Sequence, residues 1–161
     1  LRVPKLLYEG KKILGTENES IGLFGGLKEV VPALRAHFPL LGILTSNSKE
    51  NVSAFLNNHG LGCFDFISTV PKLQGKKKHL WAIAQTYTLG MQEILFVGDE
   101  KRDIRAGKKA GVTTVAVSWG FNARDALVED RPDLLIDRVE DLMRLTRPDF
   151  AAAPWAGTAV S

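Results

Sequence analysis

A single cysteine, Cys63, occurs in 161 residues. No internal disulfide can form, and a reducing compartment is the simplest setting. Histidine is nearly as scarce. His37, His59 and His79 fall on or beside expected helices without metal-ligand spacing, so none is assigned a role. No apolar stretch approaches the ~20 residues of a membrane helix, and the opening LRVPKLLYEGKK lacks a signal-peptide core. These absences give the expectation of a cytoplasmic protein with no membrane partner. Charge of one sign is not segregated either: the net charge is +3, with acids interleaved among the bases and no aromatic-rich RNA-binding motif. Nucleic acid is therefore not an expected partner. No G-x-G-x-x-G follows a strand, which argues against a dinucleotide-binding domain. What is present is ordinary for one globular domain, 45% hydrophobic and 24% charged.

Apolar runs of strand length alternate with amphipathic stretches of helix length, the pattern of a parallel α/β sheet. Residues 40–45 (LLGILT) form an all-apolar run ending in a hydroxyl, as expected for a strand covered on both faces. Residues 64–68 (FDFIS), 94–97 (ILFV), 113–117 (TTVAV) and 134–136 (LLI) repeat the theme. Helices are expected near 27–37, 48–58, 76–87, 101–110, 122–129 and 139–145. Ser48 is a candidate N-cap, Gly60 and Gly111 follow the last turns of two helices, and Pro132 blocks continuation of another. After Pro148 the small, apolar tail 148–161 has no periodicity, although Trp155 within it offers an anchor to the core.

In open parallel sheets, ligands bind beyond the carboxyl ends of the strands, and three such ends carry complementary polar groups. Thr45-Ser46-Asn47-Ser48 reads either as a phosphate cradle of hydroxyl and backbone N–H groups or simply as a helix cap. Gly98-Asp99-Glu100, with Asp103 one turn later, reads as a pair of oxygen ligands suited to Mg²⁺ or as acids favouring a helix N-terminus. The glycine immediately before Asp99 tilts that choice toward the metal. Gly75-Lys76-Lys77-Lys78 opens a helix, and a lysine there neutralises phosphate and carboxylates together. The alternative for any one of these lysines is a solvated surface charge. Trp119-Gly120-Phe121, after a further strand, reads either as part of the site's rim or as a packed aromatic beside a turn glycine.

The ordered set strand-Thr, lysine, strand-GDxxxD resembles the second, third and fourth motifs of the haloacid dehalogenase (HAD) superfamily. LLGILTSNS, FDFI followed by Gly75-Lys76, and FVGDEKRDIRAGKKAG are most similar to its phosphoglycolate phosphatase-like branch. The resemblance covers roughly residues 20–145. It implies a Rossmann-like core at 21–147, with residues 1–20 as the remnant of a helical cap or linker. It also implies a Mg²⁺-dependent phosphomonoester hydrolase acting on a small phosphorylated metabolite. By this likeness Thr45 bonds the transferring phosphoryl group, with Ser46 and Asn47 helping to bind phosphate. Lys76 stabilises charge, with Lys77 as its fallback, and Asp99 and Asp103 hold Mg²⁺.

One motif of that family is absent. The first motif, D-x-D on the opening strand, supplies the nucleophile and its acid/base partner, and none of the nine aspartates here (65, 99, 103, 125, 130, 133, 137, 141, 149) begins D-x-D. Asp65 lies inside an expected strand and reads as structural. Loss of the opening strand would leave two central edges unpaired. The expectation is therefore a carboxy-terminal portion of a longer protein, inactive by itself, whose nucleophile lies in a preceding segment. A non-catalytic module that binds a phosphorylated ligand is the alternative.

Overall fold

The computed structural model describes residues 5–9, 25–71, 75–147 and 150. Six strands, β1 (Lys5–Glu9), β2 (Leu41–Thr45), β3 (Phe66–Thr69), β4 (Ile94–Gly98), β5 (Thr113–Val117) and β6 (Leu134–Ile136), form one sheet in the order β3-β2-β1-β4-β5-β6. Every pairing is parallel. Among the described residues, five α-helices lie between them: α1 (Leu27–His37), α2 (Lys49–Asn58), α3 (Lys76–Thr86), α4 (Lys101–Ala110) and α5 (Arg124–Glu129). This is a doubly wound, Rossmann-like α/β fold, as the alternation of strand and helix patterns predicts.

The strands feed two cores by alternation. Along β4, Leu95 and Val97 join the layer of α1 and α2, while Ile94 and Phe96 join the layer of α3 and α4. Both faces are thus dry, and β2 and β4 are buried along their whole length. α1 presents Leu27, Val30, Val31 and Leu34 to its layer at i, i+3, i+4 and i+7. Ser48 caps α2 by accepting from the Asn51 N–H at 3.2 Å, and Gly111 ends α4 in the left-handed region at φ 85°. Among the described residues, no helix is long and apolar enough to cross a membrane.

Besides β3, which begins at Phe66 rather than 64, three elements depart from expectation. Residues 5–9 are not part of a cap helix: β1 lies between β2 and β4, with Leu6 in register with Leu41 and with Leu95. The central slot expected to be empty is filled, and the facing N–H and C=O groups of β2 and β4 have partners. The apolar run Leu6-Leu7-Tyr8, bounded by Pro4 and Gly10, is short enough for a strand, and periodicity alone does not distinguish the two states. The rest of the expected cap remnant lies outside the described residues. Residues 139–145, expected as an α-helix, form a 3-10 helix over Val139–Thr146. Its buried residues Val139, Leu142 and Leu145 recur every third position, the period at which a 3-10 helix stacks its side chains. Finally, α5 begins at Arg124 rather than 122, because the Asn122 N–H is committed to Asp99 O at 3.0 Å. Of the tail 148–161, Phe150 is described and packs on the α1 layer; Trp155 lies outside the described residues.

Candidate active site

Because all strands are parallel, Thr45, Gly98 and Val117 end at one edge of the sheet. The order reverses at β1, which has β2 on one side and β4 on the other, so a crevice opens beyond these strand tips.

Thr45 is fully buried, and its hydroxyl accepts from the Asn47 N–H at 3.1 Å. Its own proton remains available to a second partner. The next residues divide between the two readings offered by the sequence. Asn47 Oδ1 accepts from the Ser48 N–H at 2.9 Å, and Ser48 caps α2, so both serve the turn. Ser46 is half-buried at the strand tip.

Asp99 and Asp103 follow β4, both buried, with Asp103 at 0% exposure. Asp103 folds back against the strand end. A Cβ on Gly98 would meet Asp103 Cβ at 2.6 Å and Oδ2 at 2.9 Å, so only glycine fits before Asp99. Lys76, first residue of α3, reaches Asp103 Oδ1 in a buried ion pair. Packing of α3 on α4 brings them together, tied by the Trp81 Nε1–H bond to Ala110 O at 3.2 Å. Burial pushes the Asp103 carboxyl above the ordinary carboxylate range, with the Lys76 charge and hydrogen bond pulling the other way. Asp103 Oδ2 is buried with no hydrogen-bond partner. An unpartnered carboxylate oxygen beside a charged lysine is suited to a ligand that brings positive charge or a donor.

Of the neighbouring lysines, Lys77 lies over the Trp81 ring at 4.3 Å and Lys78 is exposed. Asp65 lies just ahead of β3 rather than inside a strand, and its contacts are structural: its Oδ2 accepts from the Leu41 N–H at 2.7 Å and its Oδ1 from Arg35 at 2.9 Å.

The loop after β5 contributes more than its sequence suggested. The Phe121 N–H donates to Asp99 Oδ2 at 2.7 Å and the Asn122 N–H to Asp99 O at 3.0 Å. Glu100, beside Asp99 in the strand-end motif, is buried as well. It is 7% exposed and paired with Arg102. The one sequence signal was a glycine between two aromatics directly after an apolar strand. Among the described residues, no group of three or more His, Cys, Asp or Glu is placed to hold a metal ion. Two carboxylates still suit Mg²⁺, which keeps several waters and takes one or two protein oxygens together with substrate phosphate.

Fold and strand-tip chemistry define a doubly wound α/β protein whose buried charges gather at the switch-point crevice. The chain belongs to the family described as haloacid dehalogenase-like hydrolase, whose sequence model matches residues 4–117. It is 34% identical over 141 residues to a phosphoglycolate phosphatase of Synechococcus elongatus, covering 87% of this chain and 66% of that protein. To the phosphoglycolate phosphatase of Escherichia coli K12 it is 30% identical over 131 residues, covering 78% of this chain and 51% of the relative. The chain thus spans between half and two thirds of the curated relatives it matches. Among solved structures, a predicted phosphoglycolate phosphatase from Haemophilus somnus superposes with a TM-score of 0.71 at 25% identity, covering 78% of this chain and 58% of that one. A haloacid dehalogenase-like hydrolase from Streptococcus pneumoniae, 21% identical, shares the fold with a TM-score of 0.70 over 78% of this chain and 60% of its own.

Proposed function

We propose that this chain carries the phosphate- and metal-binding side of a Mg²⁺-dependent phosphomonoester hydrolase acting on a small, phosphoglycolate-like metabolite in the cytoplasm. The observation that carries the reading is the buried Lys76–Asp103 pair, held with Asp99 at the crevice where Thr45 also ends its strand. The named activity of the relatives supports the choice of substrate class.

In this reading the Thr45 hydroxyl and the Ser46 backbone N–H donate to phosphoryl oxygens, with Asn47 shaping the turn that presents them. Lys76 offsets the charge that accumulates on phosphate. Asp99 and Asp103 hold Mg²⁺, which when bound supplies Lewis-acid stabilisation of the phosphoryl oxygens. A carboxylate attacks phosphorus, the new O–P bond forms as the ester O–P bond breaks, and the departing alkoxide takes a proton. Water then hydrolyses the aspartyl-phosphate. No D-x-D occurs in the sequence, and β1 (KLLYE), the strand in the central slot, carries no aspartate, so no residue of this chain is assigned as the nucleophile.

Hydrolysis of phosphoglycolate by the native gene product, and by the 161-residue chain separately, tests this with and without Mg²⁺. Mg²⁺-dependent turnover in the former, lost on Asp99→Asn, and none in the latter is expected. Turnover by the native protein that ignores Mg²⁺ would overturn the metal assignment. Ligand binding without any turnover would favour a non-catalytic phospho-ligand module.

A further inference from the structure

Asp99 is gripped from the far side of the crevice by a loop to which the mechanism above gives no task. We propose that Gly120 and Phe121 are positioning residues that set the Asp99 carboxylate for metal binding, an inference that rests on the Mg²⁺ reading of Asp99 and Asp103.

Three observations carry it. A Cβ built on Gly120 would stand 2.1 Å from both Asp99 Cβ and Oδ2, well inside contact distance. Cβ is the root of the Asp99 side chain, so a rotamer change cannot relieve the clash; the β4–α4 turn itself would have to shift. The Phe121 N–H donates to Asp99 Oδ2 at 2.7 Å, a charge-assisted bond that fixes which way the carboxylate turns. The Asn122 N–H holds the Asp99 carbonyl at 3.0 Å, while Asn122 Oδ1 accepts from the Lys101 N–H at 2.9 Å. One short loop therefore holds Asp99 through its carboxylate and its carbonyl, and also holds the first N–H of the helix that carries Asp103.

The Phe121 ring does none of this. It is 64% exposed, and the residue acts through its backbone. Partners that orient a ligating carboxylate typically govern metal affinity by 10–100-fold on mutation. Gly120 has no left-handed φ to preserve, so Gly120→Ala tests contact alone.

The test is a Mg²⁺ titration of the ¹⁵N-labelled 161-residue chain, followed through the Phe121 amide resonance. In the wild type that amide is expected to shift saturably with Mg²⁺, and the response should vanish in Asp99→Asn. Gly120→Ala is expected to keep a dispersed, folded spectrum and to need at least about tenfold more Mg²⁺. A folded Gly120→Ala protein with wild-type Mg²⁺ affinity would overturn the positioning role while leaving the metal site standing. No Mg²⁺ response anywhere in the wild type would sink the metal reading and this inference with it. Should Gly120→Ala fail to fold, the wild-type titration decides: Mg²⁺ shifts at Asp103 with a stationary Phe121 amide would contradict the proposal.

Discussion

Lys76 Nζ donates to Asp103 Oδ1 across 27 positions of sequence, and their side chains are 9% and 0% exposed. Neither charge would sit comfortably there alone, so the first turns of α3 and α4 are joined by a pair whose members depend on each other.

Removal of one partner should therefore be costly. Lys76→Met leaves Asp103 buried without its counter-charge and is expected to lower unfolding stability by about 3–5 kcal/mol, measured by urea denaturation without added metal. The double variant Lys76→Met/Asp103→Leu should recover much of that loss. A loss below about 1 kcal/mol, the range of exposed pairs, would show that the pair is solvated rather than buried.

Asp65 makes the opposite prediction for function. Its carboxylate accepts from the Leu41 N–H and from Arg35, remote from the strand tips of the crevice. Asp65→Asn should cost about 1.5–3 kcal/mol, the range for bonds to a charged group, with Mg²⁺ affinity unchanged. Calorimetric Mg²⁺ titration beside thermal unfolding checks both halves. Weakened Mg²⁺ binding at full stability would assign Asp65 to the site.

Cys63 gives a pH signature. Desolvation by burial pushes its thiol up from 9.0, outweighing its own backbone hydrogen bond and the Arg35 charge, while Asp65 adds to the rise. The folded state thus holds the thiol proton more tightly than the unfolded chain. Its contribution to stability is fully present below pH 9 and is lost as pH rises through the folded value. Cys63→Ala should remove that alkaline component from a stability–pH profile, and Ellman's reagent should react sluggishly with the folded protein at neutral pH. Fast labelling of the folded state at pH 7 would refute the assignment.

Much of this is legible in the sequence, for identifiable reasons. β4, β5 and β6 are apolar runs followed by Asp99, Ser118 and Asp137, so their positions can be read almost to the residue. Ser48 and Gly111 punctuate helices through local rules that need no tertiary information. The apolar pattern places the strand that begins at Phe66 two residues early, because Asp65 spends its side chain on Leu41 and its N–H on Leu41 O. β1 is not legible in the sequence because Lys5–Glu9 carries only three apolar residues, and its state is decided by the edges of β2 and β4 that it pairs. The Gly120–Asp99 approach is likewise a contact between two strand ends. A sequence shows the glycine but not its neighbour.

The central claim is that Thr45, Lys76, Asp99 and Asp103 serve one site in which phosphate and Mg²⁺ are held together. The most direct measurement is the affinity of the 161-residue chain for inorganic phosphate, by calorimetry, with and without saturating Mg²⁺. Binding in one site requires reciprocal linkage: Mg²⁺ should tighten phosphate binding by about tenfold or more, a coupling of about 1.4 kcal/mol, and Asp99→Asn should abolish the enhancement. Phosphate affinity indifferent to Mg²⁺ in the folded wild-type chain would contradict it.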